Sequence, residues 1–148
     1  MSYPTGWGTK GLKMAKKTLR SKCLEAIQKL SRISAADEWG MVQCVSCENR
    51  MHWKSCDGGH YIAKGSSSYW ALEIENVHPQ CKGCNGFGMK HGSAEGQYTL
   101  WMINYYGLDF VEKMHEDKRK LKKFYTADYR EMLIEFESQI KHHEERLQ

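Results

Sequence analysis

Proline is scarce, with 2 in 148 residues, and no stretch approaches the roughly 18 uncharged apolar residues a membrane-spanning helix needs. These absences remove proline-rich linkers, collagen-like chains and membrane spans. No apolar run follows Lys10, Lys13, Lys16 and Lys17, so no export signal is read, and the expectation is a soluble chain of the cytoplasm that touches no membrane. Internal repeats and low-complexity segments are missing too. The length fits a single domain rather than an enzyme with a separate substrate module. The net charge of +4 is uneven: residues 1–43 carry 8 basic against 3 acidic groups, residues 44–100 carry 5 of each, and residues 101–148 carry 9 against 10.

The chain divides into three parts. Residues 1–43 hold an irregular lead-in and an amphipathic basic helix over 13–33, its apolar side marked by Met14, Leu19, Cys23, Ala26, Ile27, Leu30 and Ile33. Residues 44–107 are turn-rich, with short strands expected at 60–63 and 69–74 around the Gly65 to Ser68 connection. A helix is expected after Ser93, with Tyr98, Trp101, Met102 and Tyr105 on one face and Gly107 as its stop. Residues 108–148 are read as two more helices, one over about 109–125 and one capped by Thr126, with Tyr129, Met132, Leu133, Phe136 and Ile140 at helical spacing. The fold class is α+β: a small metal-stapled centre with flanking helices.

Six cysteines in an unexported chain point to metal binding or free thiols before disulfides. Cys44-Val45-Ser46-Cys47 and Cys81-Lys82-Gly83-Cys84 are two C-x-x-C pairs, each bringing two thiolates to one side of a tight turn. Together they make a closed tetrahedral Zn²⁺ site, structural because no coordination position is left open. The alternative for these pairs is redox chemistry or unligated thiols, and no βαβ pattern surrounds either pair to support the former. Cys23 fits the core face of its helix, and Cys56 is a packed thiol or an alternative ligand.

The 33 residues between the pairs exceed ordinary zinc-ribbon spacing, and the candidate chemistry lies there. The insertion contains Cys56-Asp57-Gly58-Gly59-His60-Tyr61-Ile62 and Glu75-Asn76-Val77-His78-Pro79-Gln80, which runs into Cys81 and ends at Cys84-Asn85. A histidine at a strand end, an asparagine five residues before a C-x-x-C and a metal-capable residue just after it form the pattern of an HNH, or His-Me finger (ββα-metal), nuclease. With Asn85 in the last position it resembles the H-N-N variant of the phage endonuclease VII type. Residues from about 44 to 107 are similar to the phage NinG (Rap) recombination family, with its D-x-G-H-[FY]-I and N-[IV]-H-x-Q-C-x-x-C-N succession. Taken singly, His60 is an ordinary packed histidine, Asn76 a turn residue and Asn85 a helix cap; only the constellation makes them catalytic.

The chemistry accounts for these residue types. Phosphodiester hydrolysis needs a base for water, positive charge against the developing phosphorane and help for the leaving 3′-oxygen. His60 is the expected base, its second nitrogen bonded to a backbone carbonyl in a loop that Asn76 positions. Asp57 and Asn85 are the expected oxygen ligands of one catalytic cation, Mg²⁺ or Mn²⁺. Many His-Me nucleases carry an acidic ligand immediately before the histidine; here residue 59 is glycine and the nearest carboxylate is Asp57. His78 is expected to be structural, its ring packed beside the zinc knuckle, with a phosphate contact as the alternative; His52 and His91 are expected to be exposed, with a phosphate contact open to His91 near Lys90; and His115, His142 and His143 carry no signal.

Lys64, Lys82 and Lys90 are the candidate phosphate contacts near the centre. Two basic blocks, Lys10, Lys13, Lys16, Lys17, Arg20 and Lys22 in the first and Lys118, Arg119, Lys120, Lys122 and Lys123 in the second, are candidates for neutralising DNA phosphates without reading sequence, the alternative being solvated helix faces. The resemblance implies a DNA endonuclease that leaves 5′-phosphate ends, acts on branched recombination intermediates such as Holliday junctions, works as a homodimer and meets recombination proteins. The alternatives are a zinc-ribbon DNA-binding protein without catalysis and a recombination accessory factor.

Overall fold

The computed structural model describes residues 16–148, so Met14 and the candidates Lys10 and Lys13 lie outside the described residues. Helix α1 spans Leu19–Ala35, and the Thr18 hydroxyl accepts the Ser21 amide at 3.1 Å as its N-cap. Cys23, Ala26, Ile27, Leu30 and Ile33 of the expected apolar side are buried, joined by Leu24, while the helix starts at Leu19, with residues 16–18 outside it, rather than near 13.

Strands β1 (Met41–Gln43) and β2 (Arg50–His52) form an antiparallel hairpin with the first cysteine pair in its turn. Glu48 adopts φ +65° in that turn. A second antiparallel pair follows, β3 (Asp57–His60) with β4 (Val77–Gln80), in which Asp57 faces Gln80 and His60 faces Val77. The chain then enters a helical stretch over residues 82–90 whose middle, Cys84–Gly88, is π-helical. Helices α2 (Glu95–Tyr106), α3 (Leu108–Asp117) and α4 (Thr126–Arg146) complete an α+β arrangement with two separate two-stranded sheets.

Three apolar clusters hold these pieces. Cys23, Ile27, Leu30, Phe136 and Ile140 join α1 to α4, so the acidic last helix packs along the first. Tyr61, Trp70, Tyr98, Met102 and Met114 bind α2 and α3 to the loop after β3. Ile33, Val42, Trp53 and Cys56 form the third. Fully burying side chains of this size contributes about 1.5–3 kcal/mol each. Helix α1 also crosses β3 closely: a Cβ on Gly58 would stand 2.6 Å from the Gln28 carbonyl oxygen, so only glycine permits the approach.

Four further expectations need correction. The strand expected over 60–63 ends at His60 and begins earlier, at Asp57. The one expected over 69–74 is not a strand; its apolar run Trp70, Ala71 and Leu72 is buried as irregular chain, and its carbonyls bond to side chains instead of a neighbouring strand. The helix expected to reach about residue 125 stops at Asp117, whose buried carboxylate is bonded to Lys113 at 3.3 Å and Lys120 at 2.8 Å as the chain turns away. Thr126 is the first helical residue rather than the cap; Tyr125 precedes it, and its amide donates to the Asp128 carboxylate at 2.7 Å.

Candidate functional site

The four sulfurs of Cys44, Cys47, Cys81 and Cys84 lie within 4.8 Å of one another, with 3.7 Å between those of Cys47 and Cys81. Zinc–sulfur bonds of about 2.3 Å in a tetrahedron require sulfurs about 3.8 Å apart, so the cluster fits zinc with little movement. Each pair is preorganised by its own turn: the Cys47 amide donates to the Cys44 sulfur at 3.5 Å and the Cys84 amide to the Cys81 sulfur at 3.4 Å. The Val45 amide donates to the Pro79 carbonyl at 3.0 Å, tying the first turn to β4. Cys56 stands apart, buried, its thiol donating to the Trp53 carbonyl at 3.4 Å, which makes it a packed thiol.

The cysteine cluster fixes where β4 ends and the 82–90 helical stretch begins, and that junction carries Asn85. The Asn85 amide donates to Asp57 Oδ2 at 3.1 Å, and Lys82 Nζ is 2.7 Å from Asp57 Oδ1. Partial burial works against ionising Asp57, but the bonds from Lys82 and Asn85 outweigh it and hold the carboxyl below its ordinary range. Gly59 is what lets this cluster close. A Cβ there would overlap Gln80 Oε1 and stand 3.0 Å from Asn85 Oδ1, so the space of the acid that precedes the histidine in the commoner pattern is already filled.

His60 ends β3. Its Nε2 is 2.8 Å from the Ala71 carbonyl oxygen, which can only accept, so the proton sits on Nε2 and Nδ1 keeps its lone pair. Burial pushes the imidazole's pKa down, Lys64 and Arg20 add to that, and the Ala71 bond opposes it. Asn76, fully buried, holds the chain on either side of this contact without touching the Ala71 carbonyl itself: its Oδ1 accepts the Ile62 amide at 2.8 Å, and its Nδ2 donates to the carbonyls of Ile62 at 2.9 Å and of Trp70, the residue before Ala71, at 3.1 Å. These three bonds tie the residues after His60 to the residue before Ala71.

His60 and Asn85 line a cleft of about 670 Å³ together with Lys64, Lys90, Lys118 and Arg119. Glu95 and His115 lie in the same cleft. His115, which carries no sequence signal, bonds through Nε2 to the Tyr61 hydroxyl at 2.8 Å, and that hydroxyl also meets Thr99 Oγ1 at 2.8 Å. Asp57 and Lys82 are not in the cleft lining.

The remaining basic candidates divide. Lys17 pairs with Glu25 at 2.7 Å, Lys120 with Asp117 and Lys122 with Glu73 at 3.2 Å, while Lys123 lies over the Tyr125 ring. Lys16 and Arg20 are exposed on and before α1. His78 is buried, as expected of a structural residue, but its ring packs against α2: Nδ1 is 3.0 Å from the Tyr98 hydroxyl and Nε2 2.8 Å from that of Tyr106. Tyr98 donates in turn to the Gly59 carbonyl at 2.7 Å. The residue before His60 is thereby anchored to α2. His52 is half-buried rather than exposed, because its Nδ1 accepts the Lys54 amide at 3.2 Å.

A closed cysteine site that braces a two-stranded pair and a helical turn defines an α+β metal-binding protein. The sequence matches the family described as Bacteriophage Lambda NinG protein over residues 9–146, and the chain belongs to that family. Neither a curated protein nor a solved structure matches it. Among the described residues no helix is long and apolar enough to cross a membrane.

Proposed function

We propose that the chain is a metal-dependent DNA endonuclease of the His-Me finger class, in its H-N-N variant, with the β3 and β4 pair and the 82–90 helical stretch as the ββα unit. The observation that carries this reading is the state of His60: Nε2 is committed to Ala71, Nδ1 is free, and the ring opens on a cleft lined by cations and Asn85. A neutral imidazole with one available lone pair is what a general base requires. A DNA-binding module without catalysis would use the same cations, but it has no need of a histidine whose tautomer is fixed so that a lone pair stays available at the cleft.

His60 Nδ1 takes the proton from the attacking water, while Lys64 and Lys90 hold the phosphate in the cleft. Asp57 and Asn85 offer a carboxylate and an amide carbonyl, both hard oxygen donors suited to Mg²⁺ or Mn²⁺, once Asp57 exchanges its Lys82 partner. When bound there, the cation supplies positive charge to the phosphorane and the departing 3′-oxygen. The products carry 5′-phosphate ends. Membership of a phage recombination family favours branched DNA as substrate and a bacterial cytoplasm as its setting, and symmetric cutting of a junction calls for two copies of the site, hence a homodimer.

The test is cleavage of a labelled four-way junction beside a matched linear duplex, with Mg²⁺ or Mn²⁺ and with EDTA, using the natural chain and His60→Ala. Metal-dependent cutting of the junction that is lost in the variant, with DNA binding and zinc retained, is expected. Binding without cutting under every metal leaves a non-catalytic DNA-binding module in place of the enzyme. A particle that stays monomeric, free and on junction DNA, removes the dimer.

A further inference from the structure

Residues 115–119 lie outside the cysteine pairs and the H-N-N succession, yet three of them line the same cleft as His60. His115 sits in the last turn of α3, Lys118 caps it, and Arg119 follows; all three line the cleft. Between them Asp117 turns inward, buried, and takes Lys113 and Lys120 as partners. Of the basic block that continues to residue 123, Lys120 and Lys122 are spent on ion pairs and Lys123 on an aromatic face. Lys118 and Arg119 have no ion pair or side-chain hydrogen bond among the described residues, and they are the two that reach the cleft. Two unpartnered cations facing a third and fourth, Lys64 and Lys90, repel one another until an anion lies between them.

The aim of the wall is fixed by Tyr61, the residue directly after His60. Its ring is buried against Tyr98, and its hydroxyl holds His115 Nε2 at 2.8 Å with Thr99 as a second partner. The Tyr61 bond occupies Nε2 and leaves Nδ1 as the ring nitrogen without a partner among the described residues. The groups whose charge bears on His115 are Lys118 and Glu95, and Arg119 shares the cleft. Glu95 is the carboxylate of the lining, set against four cations.

We infer that His115, Lys118 and Arg119 form the second wall of the DNA channel, contacting backbone phosphates on the side of the strand turned away from His60, with Tyr61 as the positioning residue that orients His115. The inference rests on the nuclease reading for the identity of its ligand and adds a contact surface contributed by α3. It makes the cleft two-sided, so that the phosphate presented to His60 is held from both directions.

The test measures binding of duplex and four-way-junction DNA by the zinc-loaded full chain in a His60→Ala background, with Ca²⁺ as the divalent ion, across a range of salt. Each phosphate contact contributes about 0.9 to the slope of log K against log salt, so Lys118→Gln with Arg119→Gln should lower the slope by about 1.8. The control removes the same charge from α4, outside the cleft lining, as Arg130→Gln with Lys141→Gln, and should shift the slope far less. Both pairs keep the side-chain stem at exposed or half-exposed positions, and zinc content and melting temperature verify folding. Tyr61→Phe should weaken binding as much as His115→Ala, and the double variant should lose no more than either alone. In the cleavage-competent chain the two-glutamine wall should raise KM by a larger factor than it lowers kcat. A slope change no larger than the control's overturns the inference. If the natural chain binds but never cuts, the nuclease reading fails, and the slope comparison still decides the wall.

Discussion

His60 donates its Nε2 hydrogen to the Ala71 carbonyl at 2.8 Å, across a loop that leaves β3 and returns before β4. One hydrogen bond thus fixes both the ring orientation and the tautomer, and leaves Nδ1 as the available base. Because burial first, then Lys64 and Arg20, depress the imidazole's pKa against the opposing Ala71 bond, the base is neutral throughout the physiological range. The rate should therefore be flat near pH 7 to 8 and fall only in acid, with its half-point below the ordinary value of 6.5. A pH profile of kcat/KM on one DNA substrate checks this. An acid limb centred above 6.5 would contradict the environment assigned to His60.

His78 makes a separate claim, on stability. Burial drives its pKa from 6.5 to about 3, so the folded chain binds fewer protons there than the unfolded chain does between those values. Folding free energy contributed by the neutral ring is complete above pH 6.5 and declines as the pH drops, by about 1.4 kcal/mol per unit from this group. His60 acts in the same direction, and the cysteine cluster releases metal in acid, so the comparison that isolates His78 is the natural chain against His78→Gln. Urea midpoints between pH 7 and pH 5 should fall less steeply in the variant. Parallel lines would remove the buried neutral state.

Zinc should be found at one per chain. Cys81→Ser should lose it and unfold the β3 and β4 pair, because the second cysteine turn is where β4 hands over to the 82–90 stretch. Cys56→Ser should keep full zinc, since that thiol donates to Trp53 and lies outside the cluster. Metal analysis of purified variants with circular dichroism decides both.

Much of the site was legible because its signals are local. A C-x-x-C turn carries its own geometry, and His60, Asn76 and Asn85 are recognisable by their distance from it. The strand that bears the histidine was not legible: Asp57-Gly58-Gly59-His60 has two residues of poor strand propensity, and the reasons for them lie elsewhere in the chain, at Gln28 for Gly58 and at Gln80 and Asn85 for Gly59. The run 69–74 looked like a strand because buried apolar residues in succession read the same way in coil, and only the side chains of Asn76 and His60 explain where its carbonyls bond. His115 meets Tyr61 across 54 residues of sequence, a pairing no local pattern announces. Within the basic block, charge alone could not tell Lys120, spent on Asp117, from Lys118, which faces the cleft.

Gly59→Ala tests whether the missing acid is excluded by packing. Its Cβ overlaps Gln80 Oε1 and crowds Asn85, and Gln80 has little room to yield because its amide also donates to Ser46 at 2.9 Å. Overpacking of this kind costs about 1–3 kcal/mol. Pairing the change with Gln80→Ala opens the space and should recover most of the loss, read from thermal melts of the single and double variants. Equal stability of Gly59→Ala and the natural chain would mean that the acid is absent for another reason.

Asn76 makes the sharpest demand on residue type. Its surroundings present one amide, from Ile62, and two carbonyls, from Ile62 and Trp70, so the side chain there must accept once and donate twice. Only a primary amide of this length meets that requirement. Asn76→Ala strands the Ile62 amide and carbonyl in a fully buried position and takes from the Trp70 carbonyl one of its two donors, the Glu73 amide remaining at 3.2 Å; at about 1–3 kcal/mol for each stranded group, destabilisation of about 2 kcal/mol or more is expected. Asn76→Asp, nearly the same shape, should fare no better, because its carboxylate faces two carbonyl oxygens with nothing to donate. Where either variant still folds, the loop that carries Ala71 is loosened and kcat should fall with it, while zinc is retained. Urea melts alongside single-turnover cleavage separate the two effects. Full stability in Asn76→Asp would show that the loop is held by something other than this amide.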